Sequence, residues 1–157
     1  MPSYEAWNTG KATEIIAGFS GLDGAALPIL HALQECFGYI DKAIVPVMAD
    51  ALNLSRAEIH GTISFYHDFR DHPPGRHTVK LCRAEACQSR GAVALHKQVM
   101  ERLGVDWHGT TVDGAITLQP VFCIGLCANA PAALVDDEPI GNLDGSSIDA
   151  MIAEARA

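Results

Sequence analysis

Four of the five cysteines in this 157-residue sequence fall into two close pairs. Cys82 and Cys87 are separated by four residues, Cys123 and Cys127 by three, and 35 residues lie between the pairs. In a compartment that keeps thiols reduced, such pairs are metal ligands or redox groups rather than a disulfide framework. A 2Fe-2S cluster needs four thiolates converging from two directions, and two paired loops at one end of a sheet can present them face to face. A structural zinc also accepts four thiolates, but its usual pattern has two-residue gaps within each pair and a spacer of about 15 to 20 residues. The spacing therefore favours one 2Fe-2S cluster with Cys82, Cys87, Cys123 and Cys127 as ligands. A zinc-stabilised docking adaptor is the rival from another functional class.

Two further readings fail on spacing. A thioredoxin-type redox site requires Cys-x-x-Cys, which does not occur, and a plant-type ferredoxin places a third cysteine where this chain has Arg90. Gly125, inside the second pair, allows a tight turn that brings backbone N–H groups toward sulfur. The fifth cysteine, Cys36, shares an apolar helical side with Ile29 and Leu33 and is expected to be a buried, inert thiol outside the site. The other candidates are weaker. Glycines between Gly18 and Gly24 have the wrong spacing for a dinucleotide fingerprint, and no phosphate-binding lysine loop occurs. His60 and His67, seven residues apart, are expected on one helix face but without a third ligand, and Asp136, Asp137 and Glu138 read as a charged turn between strands.

The elements that must position the cysteines have two textures. Residues 1–72 read as a helical domain. One helix is expected from about Gly24 to Phe37 and another within Asp41–Leu52, with Pro28 and Pro46 near their starts. A third follows the capping box Ser55-Arg56-Ala57-Glu58, with Ile59, Ile63 and Tyr66 on one stripe and Phe65 and Phe69 widening it. The run Asp71-His72-Pro73-Pro74-Gly75 breaks the pattern. Residues 76–157 then read as a strand over His77–Cys82, a helix over Gly91–Leu103, an Asp113-Gly114 turn into Ile116–Leu118, a short hairpin over Ala132–Val135 and Pro139–Leu143, and a closing helix from Ser146 to Arg156. This order predicts an α/β fold, a thioredoxin-like 2Fe-2S ferredoxin domain preceded by an N-terminal helical bundle.

Composition narrows the function. Apolar residues make up 48% and charged residues 19%, a globular balance with apolar surface to spare for a partner. A formal net charge of -8, with no basic cluster to reverse it, disfavours nucleic acid and anionic membrane surfaces. The chain has neither a secretion-type start nor an apolar run of about 18 residues, so a cytoplasmic protein without direct membrane insertion is expected.

The strings HTVKLCRAEACQSRG, GTTVDGAITLQPVFC and CIGLCANAP, with Gly38-Tyr39-Ile40 and Ser64-Phe65-Tyr66 upstream, resemble the thioredoxin-like 2Fe-2S subunits of NAD-linked redox complexes. The resemblance runs from about residue 25 to the end. It maps the family's ligands onto Cys82, Cys87, Cys123 and Cys127 and implies that each close pair binds one iron. Members serve respiratory complex I (NADH:quinone oxidoreductase), the diaphorase of NAD-reducing hydrogenases, and the gamma subunit of molybdenum-containing NAD-dependent formate dehydrogenases. Cys-Ile-Gly-Leu-Cys-Ala and the stretch Pro131–Asp136 look most like the formate dehydrogenase gamma subunit. That branch implies a non-catalytic electron-transfer subunit beside a flavin/NAD-binding subunit carrying FMN and NAD, and a formate-oxidising subunit carrying the molybdenum cofactor. A freely diffusing ferredoxin is disfavoured, because a shuttle needs no apolar helical extension.

Overall fold

The computed structural model describes residues 4–19 and 21–156, which divide into two compact units at Pro73–Pro74.

In the first unit four helices form: α1 (Thr9–Gly18), α2 (Ala26–Phe37), α3 (Ile44–Leu52) and α4 (Arg56–Phe65). Each has a local reason. The Asn8 side chain caps α1 by accepting the Lys11 N–H at 3.0 Å. Gly38, with φ of 79°, ends α2 in the left-handed conformation that side chains disfavour. Ser55 and Glu58 form the expected capping box at α4, with Glu58 N–H donating to Ser55 Oγ and Ser55 N–H to Glu58 Oε2. Pro28 and Pro46 sit in the first turns of α2 and α3, where their missing N–H costs nothing. The faces interlock in one core built from Ile16, Ile29, Leu33, Phe37, Ile44, Met48 and Ile59, among others.

Three details depart from the sequence reading. Helix α1 carries only Ala12 and Ile16 as buried residues, too faint a stripe to announce a separate helix. Phe65, expected to widen the apolar face of α4, is 73% exposed, and Tyr66 lies against it edge-on in an exposed pair. His67 lies beyond the end of α4 and so shares no helical face with His60; both are exposed.

The second unit is an α/β structure. Strands β1 (His77–Cys82), β2 (Ile116–Val121), β3 (Ala133–Val135) and β4 (Glu138–Ile140) form a sheet in the order β2-β1-β3-β4. β1 and β2 are parallel, with Cys82 opposite Val121, whereas β1–β3 and β3–β4 are antiparallel. A parallel pair needs a crossover, supplied here by α5 (Glu85–Ser89) and α6 (Ala92–Leu103). The chain closes with α7 (Gly145–Arg156). Val79 and Leu81 of β1, Ile116 and Leu118 of β2, Val99 and Leu103 of α6, and Ile148 and Met151 of α7 share one core.

The β3–β4 hairpin turns on Asp136 and Asp137, whose φ angles of 49° and 71° suit the two-residue turn that matches strand twist. The expected turn at Asp113-Gly114 is present, its carboxylate accepting the Ala115 N–H at 3.0 Å. Its first arm runs antiparallel to the edge of β2 away from β1, with Thr111 N–H donating to the Ile116 carbonyl at 2.9 Å, Leu118 N–H to the Gly109 carbonyl at 2.9 Å and one regular bridge between Thr110 and Thr117. The short helix α5 begins inside the first cysteine gap and carries Cys87, and its five residues are too few to show a period. Among the described residues no helix is long and apolar enough to cross a membrane.

Candidate metal centre

Parallel pairing of β1 with β2 brings the two cysteine loops together. Cys82 is the last residue of β1, and its position opposite Val121 sets Cys123 just past the end of the neighbouring strand. The loops are stitched by backbone bonds: Arg83 N–H donates to the Val121 carbonyl at 2.8 Å and Cys82 N–H to the Ala132 carbonyl at 3.0 Å. Cys87 rides on α5, and Cys127 opens a 3-10 turn over Cys127–Asn129.

The thiols gather as two pairs. The sulfurs of Cys123 and Cys127 lie 3.8 Å apart, and Cys82 and Cys87 are buried together in one apolar cluster. The pairs differ in exposure: Cys82 and Cys87 are buried, Cys123 and Cys127 exposed. The buried pair belongs to a small apolar cluster with Ala92, Ala130 and Ala132, flanked by Ile124 and Leu126. Such short side chains crowd the sulfurs little. Cys123 itself adopts φ of 76° and Gly125 φ of 82°, so the loop between them coils tightly, and a side chain at position 125 would be strained.

The electrostatics suit thiolates on one side of the site. Burial pushes the Cys82 thiol up, yet the Ala84, Cys123 and Ile124 backbone N–H groups and the Cys87 side chain outweigh it, leaving its pKa below the ordinary thiol value. The Cys87 pKa is raised by burial first and then by the Cys82 side chain, against the opposing Ala132 backbone. The Cys127 pKa is raised by its hydrogen bond with Cys123 and by the neighbouring thiols. Four thiolates at this spacing resist simultaneous ionisation unless a metal neutralises them.

The donor set fits a binuclear cluster better than one zinc ion. A tetrahedral zinc draws four ligands around one point, whereas here the cysteines are arranged as one buried and one exposed pair. Two pairs of thiols, with Cys123 and Cys127 near enough to share an iron, suit a 2Fe-2S cluster.

Cys36 lies in the other unit and is half-buried rather than buried, packed at the margin of the helical core, with its pKa raised by burial and by Glu5. Asp136 and Asp137 form no part of the centre; they bond His77 and Lys80 in the hairpin.

Residues that the spacing did not reveal surround the buried pair. His96 of α6 is 8% exposed and stands edge-on to Trp107, with ring centroids 5.4 Å apart. Burial lowers its pKa, with Arg83 acting in the same direction and the Cys82 backbone opposing. The Arg83 guanidinium lies 5.0 Å from the Trp107 ring centre and 5.9 Å from that of Phe122. The sequence signal was present: Arg83 and Phe122 each adjoin a paired cysteine, and His96 breaks an apolar stripe at a buried position.

Residues 12–156 match the family described as Thioredoxin-like [2Fe-2S] ferredoxin, and the chain belongs to that family. It is 30% identical over 138 residues to NADH-quinone oxidoreductase subunit 2 of Thermus thermophilus, covering 87% of this chain and 76% of that one. It is 28% identical over 144 residues to NADP-reducing hydrogenase subunit HndA of Solidesulfovibrio fructosivorans, covering 92% and 84%. Among solved structures it is similar to an NAD+-reducing [NiFe]-hydrogenase in the air-oxidized state, with a TM-score of 0.69 and 28% identity. That match covers 84% of this chain but only 23% of the hydrogenase chain.

Proposed function

We propose that this chain is an electron-transfer subunit, with no catalysis of its own, in which Cys82, Cys87, Cys123 and Cys127 hold one 2Fe-2S cluster. It works beside a flavin- and NAD-binding subunit in an NAD-linked oxidoreductase of the NADH-quinone oxidoreductase or NAD-reducing hydrogenase type. The observation that carries this reading is the gathering of two cysteine pairs at the end of β1 and β2, one buried and one exposed. The similarity to the Thermus and Solidesulfovibrio proteins and to the hydrogenase structure supports the choice of complex.

When bound, such a cluster supplies storage for one electron, whereas NAD carries a hydride, so a flavin in another subunit must stand between them. The chain's own residues set the conditions. Buried Cys82 and Cys87 anchor one side in an apolar wall, and the Ala84, Cys123 and Ile124 N–H groups favour the thiolate of Cys82. Exposed Cys123 and Cys127 form the side open to a partner. Exposed Phe65 and Tyr66 mark the helical unit as contact surface.

The formate dehydrogenase reading, with a molybdenum-containing partner, rests on Leu126 and the stretch Pro131–Asp136. The relatives favour the other two branches over it.

The test is purification of the native complex, identification of its partner chains and anaerobic addition of NADH or formate, followed by paramagnetic resonance. NADH should give a rhombic signal in the complex and none in the isolated chain. A signal from the isolated chain with NADH overturns the subunit reading. A signal with formate, together with molybdenum, moves the assignment to the formate branch.

A further inference from the structure

Arg83 occupies an unusual place for a cation. It follows Cys82 directly, its backbone N–H closes the two cysteine loops onto each other, and its carbonyl accepts the Gln88 side-chain amide at 2.6 Å. Its guanidinium is held by the faces of Trp107 and Phe122, and Phe122 adjoins Cys123. Among the described residues no Asp or Glu pairs with it, although the chain carries 19 acidic side chains against 11 Lys and Arg. The nearby Lys97, which lines the same surface pocket of Arg83, Gln88, His96 and Trp107, is partnered by Glu101 at 3.8 Å. Aromatic faces hold a cation without neutralising it, so the Arg83 charge stays uncompensated over Phe122, the residue before Cys123.

We infer that Arg83 is a positioning residue for charge at the metal centre: clamped by Trp107 and Phe122, its guanidinium raises the reduction potential by favouring the electron added to an anionic four-thiolate cluster. It acts through space, since the guanidinium makes no hydrogen bond to a thiol among the described residues. The attraction opposes the pull of the chain's -8 charge, and it is strongest where a half-buried charge is shielded from water. The inference rests on the assignment of the four cysteines as cluster ligands.

The experiment is redox titration of the full-length chain, followed by the reduced-state paramagnetic signal, with iron and sulfide measured on every sample. Arg83→Gln and Arg83→Met remove the charge, the latter keeping an apolar stem on Trp107; Arg83→Lys keeps the charge. The neutral variants should hold the cluster and show a one-electron reduction equilibrium about tenfold less favourable, equivalent to a potential about 59 mV lower, and Arg83→Lys should recover most of it. An unchanged potential in a cluster-replete neutral variant overturns the inference. So does an equal shift in Arg83→Lys, or cluster loss in both neutral variants, which would make the role structural. Absence of iron and sulfide from the unsubstituted chain would instead refute the ligand assignment.

Discussion

His77 Nδ1 lies 2.5 Å from Asp136 Oδ2, joining the first residue of β1 to the turn between β3 and β4. The other carboxylate oxygen accepts the Thr78 N–H at 2.8 Å, and the Asp136 N–H donates to the Thr78 carbonyl. A single side chain therefore locks the hairpin to the strand that ends in Cys82. Asp136→Ala removes both side-chain bonds and places alanine at φ of 49°, so it should cost about 1–3 kcal/mol in urea unfolding of the chain. Asp136→Asn, which tolerates that backbone conformation and can still accept from Thr78, should cost less.

Metal analysis separates the ligand assignment from its rival. Iron and acid-labile sulfide should be present in equal amounts, at the content of one 2Fe-2S cluster per chain. Cys36→Ser should keep that content and Cys87→Ser should lose it. Zinc without sulfide would sink the cluster reading, and loss of iron in Cys36→Ser would sink the choice of ligands.

The capping box at Ser55 fixes where α4 begins. Ser55→Ala strips the Glu58 N–H of its acceptor and should lower unfolding stability by about 1 kcal/mol, without changing iron content. An accompanying loss of iron would show that the helical unit is needed to retain the cluster.

Asp144 gives a pH signature. Its carboxylate accepts the Ser146 and Ser147 N–H groups at the start of α7, and its pKa is lowered from 3.8 to about 2, first by the Ser147 backbone bond and then by the two serine side chains. A pKa depressed on folding contributes stability that is present above about 3.8 and is lost as pH falls through about 2. Asp144→Asn, which caps without titrating, should flatten this part of the acid-unfolding curve followed by far-ultraviolet circular dichroism. An unchanged acid limb would mean that Asp144 carries none of it.

The two halves of the chain and its main helices were legible because their signals are local. Ser55 and Glu58 announce α4, Gly104 closes α6, and His77–Cys82 alternates in a way that only a half-buried strand explains. The cysteine pairs were legible for the same reason, each being four or five positions apart. What escaped depends on distant neighbours. Phe65 looks like core by its type, but it meets the neighbouring Tyr66 edge-on at the surface and stands 73% exposed. Cys36 sits on the right face of α2 but at its margin. The pocket of Arg83, His96 and Trp107 exists only once α6 and the loop before β2 have been laid beside β1, and no spacing rule records that.

The parallel pairing of β1 with β2 makes the centre a problem of assembly order. Each half-site is local in sequence, with its two sulfurs brought within reach by a short loop, so an incompletely folded chain can offer either pair to a metal on its own. The two halves meet only after the 35 residues between Cys87 and Cys123 have folded into a crossover and set Cys82 opposite Val121. Closing that distance costs chain entropy that no local contact repays. The proposed four-cysteine site is therefore complete only once β1 and β2 have paired. On the proposed ligand assignment, a cluster that needs both pairs fits only a chain whose sheet has formed, whereas a single ion needs no more than one pair.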